Sequence, residues 1–217
     1  MSGGGKRGER FSPLMAVIIA VIILAGTLFG YDQGVISGAL AGISKAFHLG
    51  ALLTEVVTSW VTLGALVGSL IGGELADRIG RKKAVLAAGV LFTLGAVLQS
   101  IAPHPPLLVG GRLVIGVGVG LAAVAAPLYG AEMAPAALRG RFVSAYQLAI
   151  TIGIFIAYQV DVTLTADNGG WRLTLGVPAI AGIGLFLAML IAIVVPGTAF
   201  GEAFLIWDGK SKRRMKT

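Results

Sequence analysis

The chain has 217 residues, of which 56% are apolar, 12% are charged and 33 are glycine. A soluble domain devotes about 25% of its residues to charge, roughly twice what is present here. That excludes an ordinary globular enzyme, a disordered tail and a nucleic-acid-binding domain, and leaves an all-α polytopic membrane protein. The net charge of +7 does not point to nucleic acid, because the basic residues sit in short runs between apolar stretches, where they set orientation in a bilayer. The chain has no cysteine, which excludes disulfide frameworks, zinc–thiolate sites and thiol chemistry. His48 and His104 fall in short links without ligand spacing, so neither a metal nor another cofactor is expected.

Residues 1–13 read as a cytoplasmic N-terminal tail carrying Lys6, Arg7 and Arg10. The apolar run behind them ends without a small-residue cleavage site and others of similar length follow, so it reads as a first span and not as a signal peptide. A bilayer core of about 30 Å needs roughly 20 mostly apolar helical residues. Six runs meet this, at 14–40, 55–76, 84–102, 107–129, 142–164 and 173–195. Pro103, Pro105, Pro106, Pro135 and the Asn168-Gly169-Gly170 turn punctuate the links. With the N-terminus inside, 14 Lys and Arg are cytoplasmic, only Lys45 and Arg172 are outside, and Arg112 lies within a span. Both termini are therefore expected in the cytoplasm. Residues 196–217 read as an atypical basic tail, disordered or resting on anionic headgroups.

Glycine recurs every fourth residue at Gly26, Gly30, Gly34, Gly38 and Gly42 in span 1, at Gly64, Gly68 and Gly72 in span 2, and at Gly116 and Gly120 in span 4. Such stripes let backbones approach closely where lipid gives no hydrophobic drive for association. They serve either static packing or helices that rock on one another.

A charge near the bilayer centre costs at least ~2.5–3.5 kcal/mol, so each one needs a reason. Asp32 lies about 18 residues into an outward-running span, or ~27 Å of axial rise. Arg112 lies about five residues into inward-running span 4, which brings it to a similar depth. The two can pair. Either they form a static bridge that fixes helix register, or a carboxylate whose partner withdraws takes up a proton and links proton uptake to conformation. Gln147, about six residues into span 5, either bridges helices or faces a polar cavity. Asp161, near an outer end, reads as interfacial.

The link Gly73-Glu74-Leu75-Ala76-Asp77-Arg78-Ile79-Gly80-Arg81-Lys82 resembles the GxxxDRxGR[KR] signature of the major facilitator superfamily. Gly111-Arg112, the glycines at 116, 118 and 120, Pro127-Leu128-Tyr129-Gly130-Ala131-Glu132 and Arg139-Gly140-Arg141 resemble the signature of its sugar porters. Phe29-Gly30-Tyr31-Asp32, Tyr146-Gln147 and Gly170-Trp171-Arg172 are similar to segments of the same family. The resemblance covers about residues 11–195 and implies the N-terminal half of a sugar porter, six helices built as two inverted three-helix repeats. It further implies proton coupling at Asp32 with Arg112 and a sugar site lined by Phe29, Gln147, Ile150 and Ile154. A cytoplasmic gate network of Gly73, Asp77, Arg78, Gly80, Arg81, Glu132, Arg139 and Arg141 is implied too.

A sugar porter usually reads close to PESPRWL after span 6. Here Pro196 leads into Gly197-Thr198-Ala199-Phe200-Gly201-Glu202, without that motif. The expectation is a proton-coupled transporter of a monosaccharide or polyol in the plasma membrane, present as an N-terminal half or truncated product and inactive alone. It would work with a missing C-terminal six-helix half or, less favourably, a second copy. The alternative is a non-transporting membrane protein that associates with a full-length porter and modulates it. An enzyme is not expected: a metal-dependent transferase motif is missing, and an intramembrane serine protease would need a histidine at depth.

Overall fold

A computed structural model of the chain describes residues 13–133, 138–164 and 170–214, with the backbone alone at 13–16 and 194–214. Residues 1–12 of the tail, Pro135 and Asn168-Gly169 lie outside the described residues. The described chain is six helices: α1 (Pro13–Phe47), α2 (Ala51–Ile79), α3 (Arg81–Ser100), α4 (Pro105–Met133), α5 (Arg139–Leu164) and α6 (Gly170–Arg214). All six contain stretches long and apolar enough to cross a bilayer, so the protein is a multi-pass membrane protein.

Most of the helices run past the apolar stretches from which they are read. α1 continues to Phe47 and α4 to Met133, because each further helical residue adds a backbone hydrogen bond whether or not lipid surrounds it. α6 likewise continues as helix through the segment after 195, as far as Arg214.

The links are short, so successive helices run in opposite directions. Gly80 alone joins α2 to α3 with φ +92°, a conformation that L side chains rarely adopt. An odd number of antiparallel spans per repeat turns the second repeat upside down in the bilayer. The packing shows the repeat: α1 lies mainly on α5 and α4 on α2, while α3 packs on α4, α6 on α1, and α3 and α6 on each other. Exchanging the first three helices for the last three leaves this pattern unchanged.

The glycine stripes form the two main seams. In α2–α4, a methyl at Gly68 would run into the Val117 carbonyl and one at Gly64 into that of Leu113. Gly116 and Gly120 of α4 meet the Val61 and Ala65 carbonyls in the same way. In α1–α5, Gly30 faces the Ile150 carbonyl, and Gly153 of α5 faces that of Thr27. Gly73 meets nothing.

Polar side chains bind the helices at both ends. Gln99 Nε2 donates to the Leu175 carbonyl at 3.1 Å, and Tyr31 Oη donates to that of Thr174 at 2.9 Å. Arg172 stacks 4.4 Å over Trp171 while donating to the Ser100 carbonyl. At the opposite end Lys82 Nζ donates to the Ala192 carbonyl at 3.0 Å.

The outer faces differ in chemistry. Through their middles α3 and α6 expose only apolar side chains, among them Leu94, Ile180 and Leu187. α1, α2 and α5 mix polar groups into their exposed faces, including Gln33, Ser59, Thr62, Gln147, Thr151 and Gln159.

Gly68→Ala is expected to lower stability by about 1–3 kcal/mol through overpacking. Gly73→Ala, with open space around it, is expected to be neutral or to add up to ~1 kcal/mol of helix propensity. Thermal melts of the detergent-solubilised variants check this; equal behaviour would refute the seam.

Candidate functional site

Asp32 and Arg112 sit on α1 and α4, the two equivalent central helices. Arg112 Nη1 lies 3.7 Å from Asp32 Oδ1, and the side chains are 1% and 0% exposed. That separation is beyond hydrogen-bond range. Neither carboxylate oxygen of Asp32, nor Nε and Nη1 of Arg112, has a hydrogen-bond partner among the described residues. Between these atoms the two charges therefore answer each other by attraction across the 3.7 Å gap. A fully engaged buried pair would accept and donate several bonds; this one is loosely held, and its energy depends strongly on the charge of both members.

The residues implied as sugar-lining fall along the α1–α5 seam. Phe29, Ile150 and Ile154 are half-buried and Gln147 is exposed on α5. Phe29 and Ile150 rest on the core. The spacing of 147, 150 and 154 puts all three on one stripe of α5.

Part of the implied gate network assembles. Arg81 bridges two helices, reaching Asp77 on α2 at 2.7 Å and Glu132 on α4 at 2.9 Å. Its Nη1 also donates to the Ala76 carbonyl at 3.3 Å. Gly80 gives the turn that points it there. Arg78 instead pairs with Glu74 on its own helix. Arg139 and Arg141 are exposed and make no ion pair among the described residues, and nothing packs against Gly73. Beside this cluster is a concavity of about 380 Å³ reached by Arg81, Lys82, Lys83 and Glu132.

Asp161, expected at the interface, is 4% exposed. Its side chain fills the space that a methyl at Gly38 would need. It lies near the end of α5 and is covered there by the bundle: α1 runs on to Phe47, whose ring packs on Trp171 at a separation of 5.7 Å. Gln99, fully buried, is a further polar group of the bundle; an amide within an otherwise apolar run is the sequence signal that marks it.

Residues 18–213 match the model of the family described as "Sugar (and other) transporter". A probable inositol transporter 2 of Arabidopsis thaliana is 44% identical over 120 residues, covering 55% of this chain and 20% of its own length. The arabinose-proton symporter of Escherichia coli (strain K12) is 40% identical over 118 residues, covering 54% and 25%. The xylose transporter XylE from E. coli, solved in an inward-open conformation, superposes with a TM-score of 0.75 at 30% identity over 80% of this chain and 46% of its own. The alignments thus span a quarter or less of these curated relatives and under half of the solved transporter.

Removing one member of the buried pair strands the other. Arg112→Ala is expected to cost about 3–5 kcal/mol, while the double change Asp32→Leu with Arg112→Met should cost far less than the two singles combined. A double-mutant cycle from melts in detergent measures this; additive losses would mean that the two charges do not interact.

Proposed function

Because the chain belongs to the sugar (and other) transporter family, we propose that it serves as one six-helix half of a proton-coupled sugar or polyol porter. The observation that carries this reading is the buried, hydrogen-bond-poor contact between Asp32 and Arg112. A proton delivered to Asp32 cancels one charge and removes the attraction between α1 and α4. Arg112 is then left in a dry site without a counter-charge, which favours any movement that brings it water or a new acceptor. Protonation thereby becomes helix separation, the step that alternating access needs. The proton is the coupling ion, and no other cofactor is invoked.

A sugar presents hydroxyls and a C–H face. The Gln147 amide offers both donor and acceptor to the first, and Phe29, Ile150 and Ile154 offer apolar surface to the second. One six-helix unit supplies one wall of such a cavity. The polar groups on α1, α2 and α5, set against the apolar middles of α3 and α6, support a second six-helix half, or a second copy, as what covers that wall. On this reading the Arg81–Asp77–Glu132 cluster lies at the cytoplasmic end and holds α2, α3 and α4 together while the inside is closed. The chain lies in the plasma membrane with both termini in the cytoplasm.

The names of the inositol and arabinose-proton relatives support the substrate class and the coupling ion. Labelled inositol and arabinose uptake into proteoliposomes tests the proposal, with the chain alone and with a second six-helix half fused to it. Accumulation driven by a pH gradient is expected only with the second half present. Asp32→Asn should abolish accumulation and spare part of the exchange, and undiminished uphill uptake would sink the proton role. Gln147→Ala should weaken sugar affinity by about 1–3 kcal/mol for a lost buried hydrogen bond; an unchanged affinity would return that amide to a packing role.

A further inference from the structure

Resting on the reading above, we propose that Gly30 and Gly34 are positioning residues for coupled transport. They lock the sugar-facing stripe of α5 onto α1, so that a change of charge at Asp32 moves Gln147, Ile150 and Ile154 with it.

Asp32 lies between these two glycines in sequence and faces the other way. Its carboxylate meets Arg112 on α4, while Gly30 and Gly34 meet α5. The Ile150 backbone carbonyl occupies the place of a side chain at Gly30. At Gly34 a methyl would lie 2.7 Å from the Ala157 methyl and 3.1 Å from the Ile154 carbonyl. The backbones of Ile150 and Ile154, two of the three stripe residues, are therefore the groups seated in the α1 notches. Gly153 returns the arrangement, its own notch filled by the Thr27 carbonyl.

A carbonyl seated in a glycine notch opposes sliding in both directions, since either shift drives it into the next residue's side chain. Closely packed interfaces of this kind move as units and do not deform gradually. α5 also packs far more on α1 than on α4 or α6, so nothing comparable holds it back when α1 moves. Gly73, Gly110 and Gly140, where a methyl would meet nothing, show that such notches belong to packed helix seams, among them α1–α5 and α2–α4, and do not follow from glycine content alone.

The chain contains no cysteine, so a single Thr151→Cys gives a clean reporter. Thr151 is exposed on α5, one turn from Gln147 and next to Ile150. In nanodiscs, its rate of labelling by a membrane-impermeant maleimide is compared with Asp32 and with Asp32→Asn, the neutral form. The expected result is a change of about fivefold, the lower end of ordinary site-to-site coupling. Gly34→Ala should erase that response. Adding Ala157→Gly moves the methyl from one helix to the other, restores the spacing and should restore the response. The swapped variant keeps the test decisive should Gly34→Ala alone fail to fold. A response to Asp32→Asn that is absent, that persists in folded Gly34→Ala, or that stays lost in a folded swap would overturn the proposal. The readout involves no sugar. Failed uptake by the fusion with a second six-helix half, with the labelling response intact, would count against the transporter reading alone; intact Asp32-dependent uptake by that fusion with no labelling response would count against the lever alone.

Discussion

A bilayer interior offers a charged side chain no water, so a charge there must find its opposite within the protein or not exist as a charge. Asp32 and Arg112 are this constraint in its barest form, an acid on one central helix and a guanidinium on the other, 3.7 Å apart. Their attraction adds to the packing between α1 and α4, which touch far less than either touches its principal partner. The contacts between α1 and α4 thus include one whose strength depends on the charge of both members. In a soluble protein water would dilute that effect; here low polarity preserves it.

The rest of the bundle is arranged so that this one contact matters. α1 is fastened to α5 and α4 to α2 through seams in which backbone carbonyls lie where side chains would otherwise be. Each charge therefore belongs to a pair of helices and not to a lone one. α3 and α6 lie behind, packed on each other and on the central helices, and their side-chain hydrogen bonds to backbone carbonyls at both ends resist separation there.

Much of this is legible in the sequence, for identifiable reasons. Spans are legible because lipid demands about 20 apolar residues whatever the fold, and the depths of Asp32 and Arg112 follow from counting at a fixed rise. The glycine periodicity announces close approach. It does not announce the partner: that Gly30 meets Ile150 and Gly64 meets Leu113 depends on which helices become neighbours, which is information spread over the whole chain. Helix ends are poorly legible because hydropathy marks the membrane edge and backbone hydrogen bonding does not stop there. The burial of Asp161 is not legible for the same reason, since the overrun of α1 covers a residue that lies near the end of its own span. Arg81 could be anticipated from Gly80 beside it, whereas the different fates of Arg78 and Arg141 turn on rotamers and on approach distances that no motif encodes.

The helix pairing bears on why the acid is on α1 and the amide on α5, and not both on one helix. On the proposed function, a substrate-facing residue has to border a cavity and a proton switch has to be shielded from it, since water would screen the attraction that makes such a switch work. Asp32 is fully buried while Gln147 is exposed, so the two needs are met on different helices. That separation is tolerable only if the helices move together. The α1–α5 seam supplies the rigidity through backbone contact, which no side-chain rotamer change can relax. On the proposed lever the charge can remain buried and the amide accessible, while a change at one would still reach the other.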